Sequence, residues 1–198
     1  MRLLRALWSA LRLVLVSTLV LGLGYNLAVT GIASLVFPKQ AQGSLVTFDG
    51  RVVGSRLIGQ QWTSARFFQG RPSATSPEPY NASASSPSNF GPTSPNLITE
   101  IKSNLKDFLA RNPGVQAGSV PPSMVESSGS GLDPDISPAA AYIQAPRVAA
   151  ANHVSVGVVD GLIAREIRGR FLGIYGDPYL NVLMLNIAVL ELGNHSSG

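Results

Sequence analysis

Hydrophobic residues in this chain fall into three kinds of pattern. The first is unbroken: Leu13 to Phe37, LVLVSTLVLGLGYNLAVTGIASLVF, runs 25 residues without a charge, and about 20 apolar residues in a helix suffice to cross a hydrocarbon core. The second consists of short runs around a turn. Leu45–Phe48 and Val52-Val53 flank Asp49-Gly50, which predicts a hairpin; Leu57-Ile58 should extend its sheet, with Trp62, Phe67 and Phe68 forming the core beneath it. The third is helical spacing. Leu97, Ile98, Ile101, Leu105, Phe108 and Leu109 recur on one face between a Ser94-Pro95 start and an Asn112-Pro113 stop, predicting an amphipathic helix.

Two further helices follow by the same logic. Ser137-Pro138 opens an alanine-rich helix that Pro146 should interrupt or kink, and Ser155 caps one carrying Val158, Val159, Leu162, Ile163 and Ile167 on one face. The tail YLNVLMLNIAVLELG reads as a buried strand passing into a terminal helix, with a boundary that periodicity leaves open. A small sheet with helices gathered against it is an α+β domain. The expected organisation is an N-terminal tip (1–12), a membrane helix (13–37) and one domain (38–198), without internal repeats.

Between these elements lies GRPSATSPEPYNASASSPSNFGPTSP, Gly70 to Pro95, whose composition suits a flexible linker. So long an unpatterned stretch inside one domain is usually either functional or disordered. Its prolines, together with Arg71, Tyr80, Asn81, Asn89 and Phe90 spread through it, favour an ordered loop.

Charge alters the picture only at the N-terminus. The formal net charge is +4, but Arg2, Arg5 and Arg12 precede any acid, and from Pro38 onward twelve Lys and Arg face eleven Asp and Glu. No basic stripe with interleaved aromatics exists, so nucleic acid is not an expected partner. The three arginines favour a cytoplasmic N-terminus and an extracytoplasmic domain. A retained anchor is preferred over a cleaved signal peptide, whose apolar region is typically about 7 to 15 residues. Within the span, Gly24 and Ala28 have the small-xxx-small spacing of a close helix contact, Gly31 adds to it, and Asn26 brings an amide that seeks a hydrogen-bonding partner.

Candidate chemistry is sparse. The absence of cysteine removes disulfides and thiol nucleophiles. There is no phosphate-cradling Gly-x-x-x-x-Gly-Lys-Ser/Thr loop and no Asp-Lys-Thr-Gly-Thr phosphorylation signature. A hydrolase built on Ser130, Asp133 and His153 fails the nucleophile-elbow pattern at Ser128, and His153 reads better as a local cap or solvent-facing residue. His153 and His195 make a poor metal pair. Asp133 and Asp135, in GLDPDISP, read as turn and cap residues before a carboxylate pair.

Several longer stretches in fixed order carry a resemblance: GSLV, GSRLIGQ, FFQGRPSA, YN, SNFGPTSP, SGSGLDPDISPAAAYIQAPRVA and GDPYLNVLMLNIAV, behind one N-terminal apolar helix. Together they resemble the C subunit of the bacterial Kdp potassium-transporting P-type ATPase over nearly the whole chain. The Ser-Ser-Pro before Ser88-Asn89 departs from the Ser-Gly-Gly common there.

The resemblance implies a non-catalytic accessory subunit in the bacterial inner membrane, joining a channel-like potassium-binding subunit to a P-type ATPase subunit, with a small accessory membrane peptide also allowed. No cofactor is implied to bind this chain firmly; ATP and potassium act on the complex. It makes Arg71, Tyr80, Asn81, Asn89 and Asp133 family-motif loop residues. The family is further described as a catalytic chaperone that raises the pump's ATP affinity, with a nucleotide contact suggested near the glutamine of a Gln-x-Pro-Arg-Val motif, matched by Gln144, Pro146, Arg147 and Val148. The residues themselves favour a local role, with Gln144 and Arg147 tying the kinked helix to its neighbours. Competing readings are an independent anchored binding protein and the Ser130/His153 hydrolase.

Overall fold

The computed structural model describes residues 1–195. It divides into two compact units, Met1–Leu45 and the residues from Val46 onward. The first is a continuous apolar helix, Arg2–Val36, long and apolar enough to cross a membrane. It comprises α1 (Arg2–Ser17), a wide π-helical stretch (Thr18–Gly24) and α2 (Tyr25–Val36). The helix thus starts eleven residues before the charge-free run and includes all three arginines. Phe37 breaks it, and Pro38 opens a four-residue helix, α3 (Pro38–Ala41).

In the second unit the hairpin forms as β1 (Leu45–Phe48) and β2 (Arg51–Ser55). Asp49 and Gly50 have φ of 49° and 74°, the double left-handed conformation that a type I′ turn requires and that an Asp-Gly pair tolerates. Leu57 and Ile58 do not extend the sheet. The chain turns at once after Ser55, whose hydroxyl accepts from the Leu57 N–H at 3.1 Å, leaving Leu57 64% exposed.

Helix α4 (Pro95–Arg111) appears as predicted, with Ser94 accepting from the Asn96 N–H at 3.3 Å and Pro95 in the first turn. Of its apolar face only Phe108 is fully buried, and Ile98 is largely exposed. The alanine-rich helix is interrupted rather than kinked, as α5 (Pro138–Tyr142) and α6 (Ala145–Ala151), because Pro146 lies in the first turn of a new helix, where a missing N–H is harmless. Ser155 caps α7 (Val156–Glu166) by accepting from the Val158 N–H. Val159, Leu162 and Ile163 face inward; Val158 is exposed.

The apolar tail resolves into β4 (Leu180–Asn181), paired antiparallel with β3 (Asp135–Ile136), and α8 (Val182–His195). Two clusters explain why α8 is apolar nearly all round. Leu185 and Val189 join Phe68, Val148, Val159 and Ile163 in the main core, while Leu183 and Ile187 pack with Val46 under the hairpin. The aromatic group is therefore not simply the floor of the hairpin. Phe68 is fully buried in the helical core, and Trp62, edge-on to Phe67 at 5.1 Å, packs against both clusters.

The Gly70–Pro95 stretch is ordered by side chains rather than by regular structure. The Ser73 hydroxyl donates to the Gly131 carbonyl at 2.6 Å and accepts from the Tyr80 N–H at 2.9 Å; the Thr75 hydroxyl donates to the Glu78 carbonyl at 2.7 Å and accepts from the Asn81 N–H at 3.0 Å. The Ser86 N–H and Ser85 hydroxyl both donate to the Ser130 carbonyl. This closes the loop against the 128–133 segment. Gly131 sits at the seam with φ of 67°, where a Cβ would lie 2.7 Å from Thr75 Cγ2 and 2.8 Å from the Ser86 carbonyl oxygen.

Gly131→Ala should therefore destabilise the domain by about 1–3 kcal/mol, from combined backbone strain and overlap. Gly129→Ala, where a Cβ meets nothing within 4 Å, should change stability by less than about 0.5 kcal/mol. Thermal unfolding of both variants checks the difference, and equal melting temperatures would mean that the loop is not held at this seam.

Candidate functional site

The densest polar arrangement in the domain surrounds the extended segment Phe67–Gln69. This backbone passes through the interior without a strand partner, so its peptide groups need other acceptors and donors. Two buried amides supply them. Asn186 on α8 accepts from the Phe68 N–H at 2.7 Å and donates to the Phe68 carbonyl at 2.9 Å. Gln144, at the junction of α5 and α6, accepts from the Gln69 N–H at 2.9 Å and donates to the Gln69 carbonyl at 3.2 Å and the Ala140 carbonyl at 3.0 Å. Both amides are 0% exposed.

Arg147 completes the arrangement from the next turn. Its Nε donates to Asn112 Oδ1 at 2.8 Å, one terminal nitrogen to the carbonyls of Ala65 at 2.6 Å and Phe67 at 2.9 Å, and the other to Gln144 Oε1 at 2.9 Å. Asn112 caps α4 and is itself buried. One guanidinium thus joins the end of α4, the α5–α6 junction and the 65–67 backbone. Burial, with the nearby positive Arg111 adding to it, lowers its pKa to about 10. It stays charged at neutral pH.

The family-motif loop residues form a second arrangement. Arg71 pairs with Asp133 at 3.1 Å, and the Tyr80 hydroxyl donates to the Arg71 carbonyl at 2.5 Å. Burial, with the Asp133 carboxylate adding and Arg71 opposing, raises the Tyr80 phenol to about 12. Asn81 caps a short 3-10 turn by accepting from the Ser83 N–H at 3.0 Å, and Asn89 adopts a left-handed φ of 54°. Arg71 and Tyr80 also line a cavity of about 220 Å³ with Trp62, Asn104, Asp107 and Arg111.

Asp133 and Asp135 do not act as a pair. Asp133 Oδ1 accepts from the Asp135 N–H at 3.0 Å, and Asp135 Oδ1 accepts from the Asn181 amide at 3.0 Å. Burial raises the Asp135 carboxyl above its ordinary value, the Asn181 hydrogen bond opposes this, and the Asp133 charge adds to it.

Ser130 and His153 are not brought together. The Ser130 hydroxyl accepts from the Leu132 N–H at 3.0 Å, and His153 turns the chain after α6 with φ of 57°. His195 closes α8, and its side chain lies outside the described residues. Among the described residues no cluster of three His, Cys, Asp or Glu could hold a metal.

In the membrane-helix candidate, Gly24, Ala28 and Gly31 return to within about 60° of one another at about 100° per residue, whereas Asn26 falls about 200° from Gly24. Asn26 is therefore on the opposite face. Its amide donates to the Gly22 carbonyl at 2.6 Å, inside the π-helical stretch.

Three members of the buried arrangement escape sequence reasoning. Asn112 reads only as a helix stop, Gln69 as part of a motif, and Asn186 is lost in an apolar tail. The usable signal is the isolation of Asn186 itself, since an amide inside VLMLNIAVL requires a buried partner.

The model of the family described as KdpC: K+-transporting ATPase, c chain, matches residues 7–191. The chain is 50% identical over 186 residues to the "Potassium-transporting ATPase KdpC subunit" of Methylobacterium nodulans, covering 88% of this chain and 91% of the relative. Proteins of the same description from Caldanaerobacter subterraneus subsp. tengcongensis (48% over 181 residues; 91% and 92% covered) and Methylococcus capsulatus (51% over 180 residues; 91% and 94%) are equally similar.

Because the folded Asp135 holds its proton to higher pH than the unfolded one, its stabilising contribution is complete below the unfolded value of 3.8 and is lost as pH rises through the folded pKa. Its charge at neutral pH is therefore a net cost. Asp135→Asn, which keeps an acceptor for Asn181, should raise the melting temperature at neutral pH, with the gain vanishing below the unfolded pKa. A lower melting temperature at neutral pH would show that the charge is stabilising.

Proposed function

The chain belongs to the KdpC family, the c chain of K+-transporting ATPases, and from that premise we propose that it is the non-catalytic assembly subunit of an ATP-driven potassium uptake complex. The observation that carries this is the extent of the match, residues 7–191, which takes in the membrane-helix candidate and the domain together. The partners are a channel-like potassium-binding subunit and the P-type ATPase subunit, with a small accessory membrane peptide as a further one. Arg2, Arg5 and Arg12 support a cytoplasmic N-terminus by the positive-inside bias, with the domain on the far side of the inner membrane.

That topology separates the domain from a cytoplasmic ATP site. A chaperone-like effect on ATP affinity would then be transmitted through the membrane helix as a coupling between sites. Direct nucleotide contact through Gln144 and Arg147 is the weaker alternative, because Gln144 is 0% exposed and both ends of its amide are engaged by the protein's own groups. The helix face that would dock on a partner is Gly24, Ala28 and Gly31.

The test is purification of the complex in mild detergent, with and without this chain, followed by potassium-stimulated ATPase assay. Wild type should co-elute with two larger membrane subunits, and activity should collapse in its absence. Substituting both Gly24 and Ala28 with Leu should abolish co-elution, whereas Asn26→Leu should be tolerated. Elution of the wild-type chain alone would overturn the assembly role; retention of the double variant would overturn the helix face.

A further inference from the structure

The chain between α7 and β4 forms a narrow finger whose tip is exposed. Two isolated antiparallel bridges define it, Arg168 with Tyr179 at the base and Phe171 with Tyr175 near the tip. Beyond the second bridge the chain reverses through Leu172 and Gly173, with φ of 53° and 76°. Glycine accepts that conformation freely; leucine does not. The four large side chains at the tip are mostly in solvent: Phe171 is 71% exposed, Leu172 74%, Ile174 72% and Tyr175 67%.

A soluble surface scatters such residues singly, whereas a contiguous apolar projection marks a contact. A backbone strained at a bulky residue is likewise retained where the neighbouring structure or a function demands it. Charge indicates the kind of surface it meets. A finger addressed to anionic lipid needs unpaired basic groups around its tip, but Phe171–Tyr175 carries none, and Arg170 is paired with Asp177 at 3.4 Å. Four side chains also fall well below the roughly 800 Å² per partner of a free-standing interface. The finger suits an anchor within a larger contact, which a subunit of a complex possesses.

We propose that the Phe171–Tyr175 finger is a docking anchor that inserts into an apolar recess on another protein subunit of the transport complex. This rests on the reading of the chain as a subunit of that complex. Aromatic and aliphatic groups seated in a dry pocket dominate the energetics of such contacts. The carbonyls and N–H groups of Phe171 and Tyr175 already bond each other at 2.9 and 3.0 Å, so the finger offers side chains rather than a strand edge.

The chain has no cysteine, so a single Ile174→Cys gives a clean reporter on it. In the complex purified with its other subunits, maleimide labelling at this position should be at least about tenfold slower than on the free chain, as expected of a buried anchor. Ser103→Cys, on the exposed side of α4, should label equally fast in both. Leu172→Asp, whose side chain tolerates a left-handed φ, should leave thermal unfolding of the chain unchanged while weakening its retention in the complex by about tenfold or more. Full labelling at Ile174→Cys within an intact complex would overturn the finger alone. So would protection that depends on lipid nitroxide quenching or on a second copy of this chain. Failure of the wild-type chain to co-elute would overturn the underlying subunit reading instead.

Discussion

The domain depends on how it accommodates a non-regular strand of backbone in its core. Phe68 must be buried to fill the space between α6, α7 and α8, and burying its side chain contributes about 1.5–3 kcal/mol. That burial drags two peptide groups out of water, each costing about 1–3 kcal/mol if left unsatisfied. Asn186 and Gln144 resolve the conflict by presenting side-chain amides in the manner of a neighbouring strand. Arg147 then fixes Gln144 and adds the 65–67 carbonyls and the end of α4. Three elements distant in sequence are thus held by four polar side chains and hardly any sheet.

The same economy runs through the loop from Gly70 to Pro95. Serine and threonine hydroxyls replace ladder hydrogen bonds, each serving as donor and acceptor to nearby backbone. Arg71 and Asp133 tie its start to the segment that closes it. A loop with a linker's composition becomes a fixed surface because its small polar residues are directed inward. This suits a subunit that presents a defined face to the rest of a complex. The buried polar groups stabilise the fold, and the apolar finger at Phe171–Tyr175 is left over as a feature that the fold itself does not require.

Much of this was legible in the sequence wherever a pattern is local. The apolar helix, the Asp-Gly hairpin turn, the Ser-Pro starts of α4 and α5 and the cap at Ser155 follow from short-range chemistry. The reading departs from the structure where packing or a competing local turn decides. Leu57-Ile58 looks like strand but follows a turn closed by Ser55, and Phe68 serves the helical core rather than the hairpin because α8 packs against both clusters. The amide arrangement was half visible. Gln144 and Arg147 sit in a motif that draws attention, whereas their partners Gln69 and Asn112 lie 75 and 35 positions away, and Asn186 lies 118 positions from the Phe68 backbone it holds. No local period encodes such pairings.

The most direct measurement of the central claim is amide hydrogen exchange of the full chain, resolved at Phe68 and Gln69. If side-chain amides hold this segment as a strand would, both N–H groups exchange only through global unfolding, as slowly as the buried turns of α7 and α8. Exchange at the rate of the solvent-exposed finger would contradict the account and leave the core without its organising interaction.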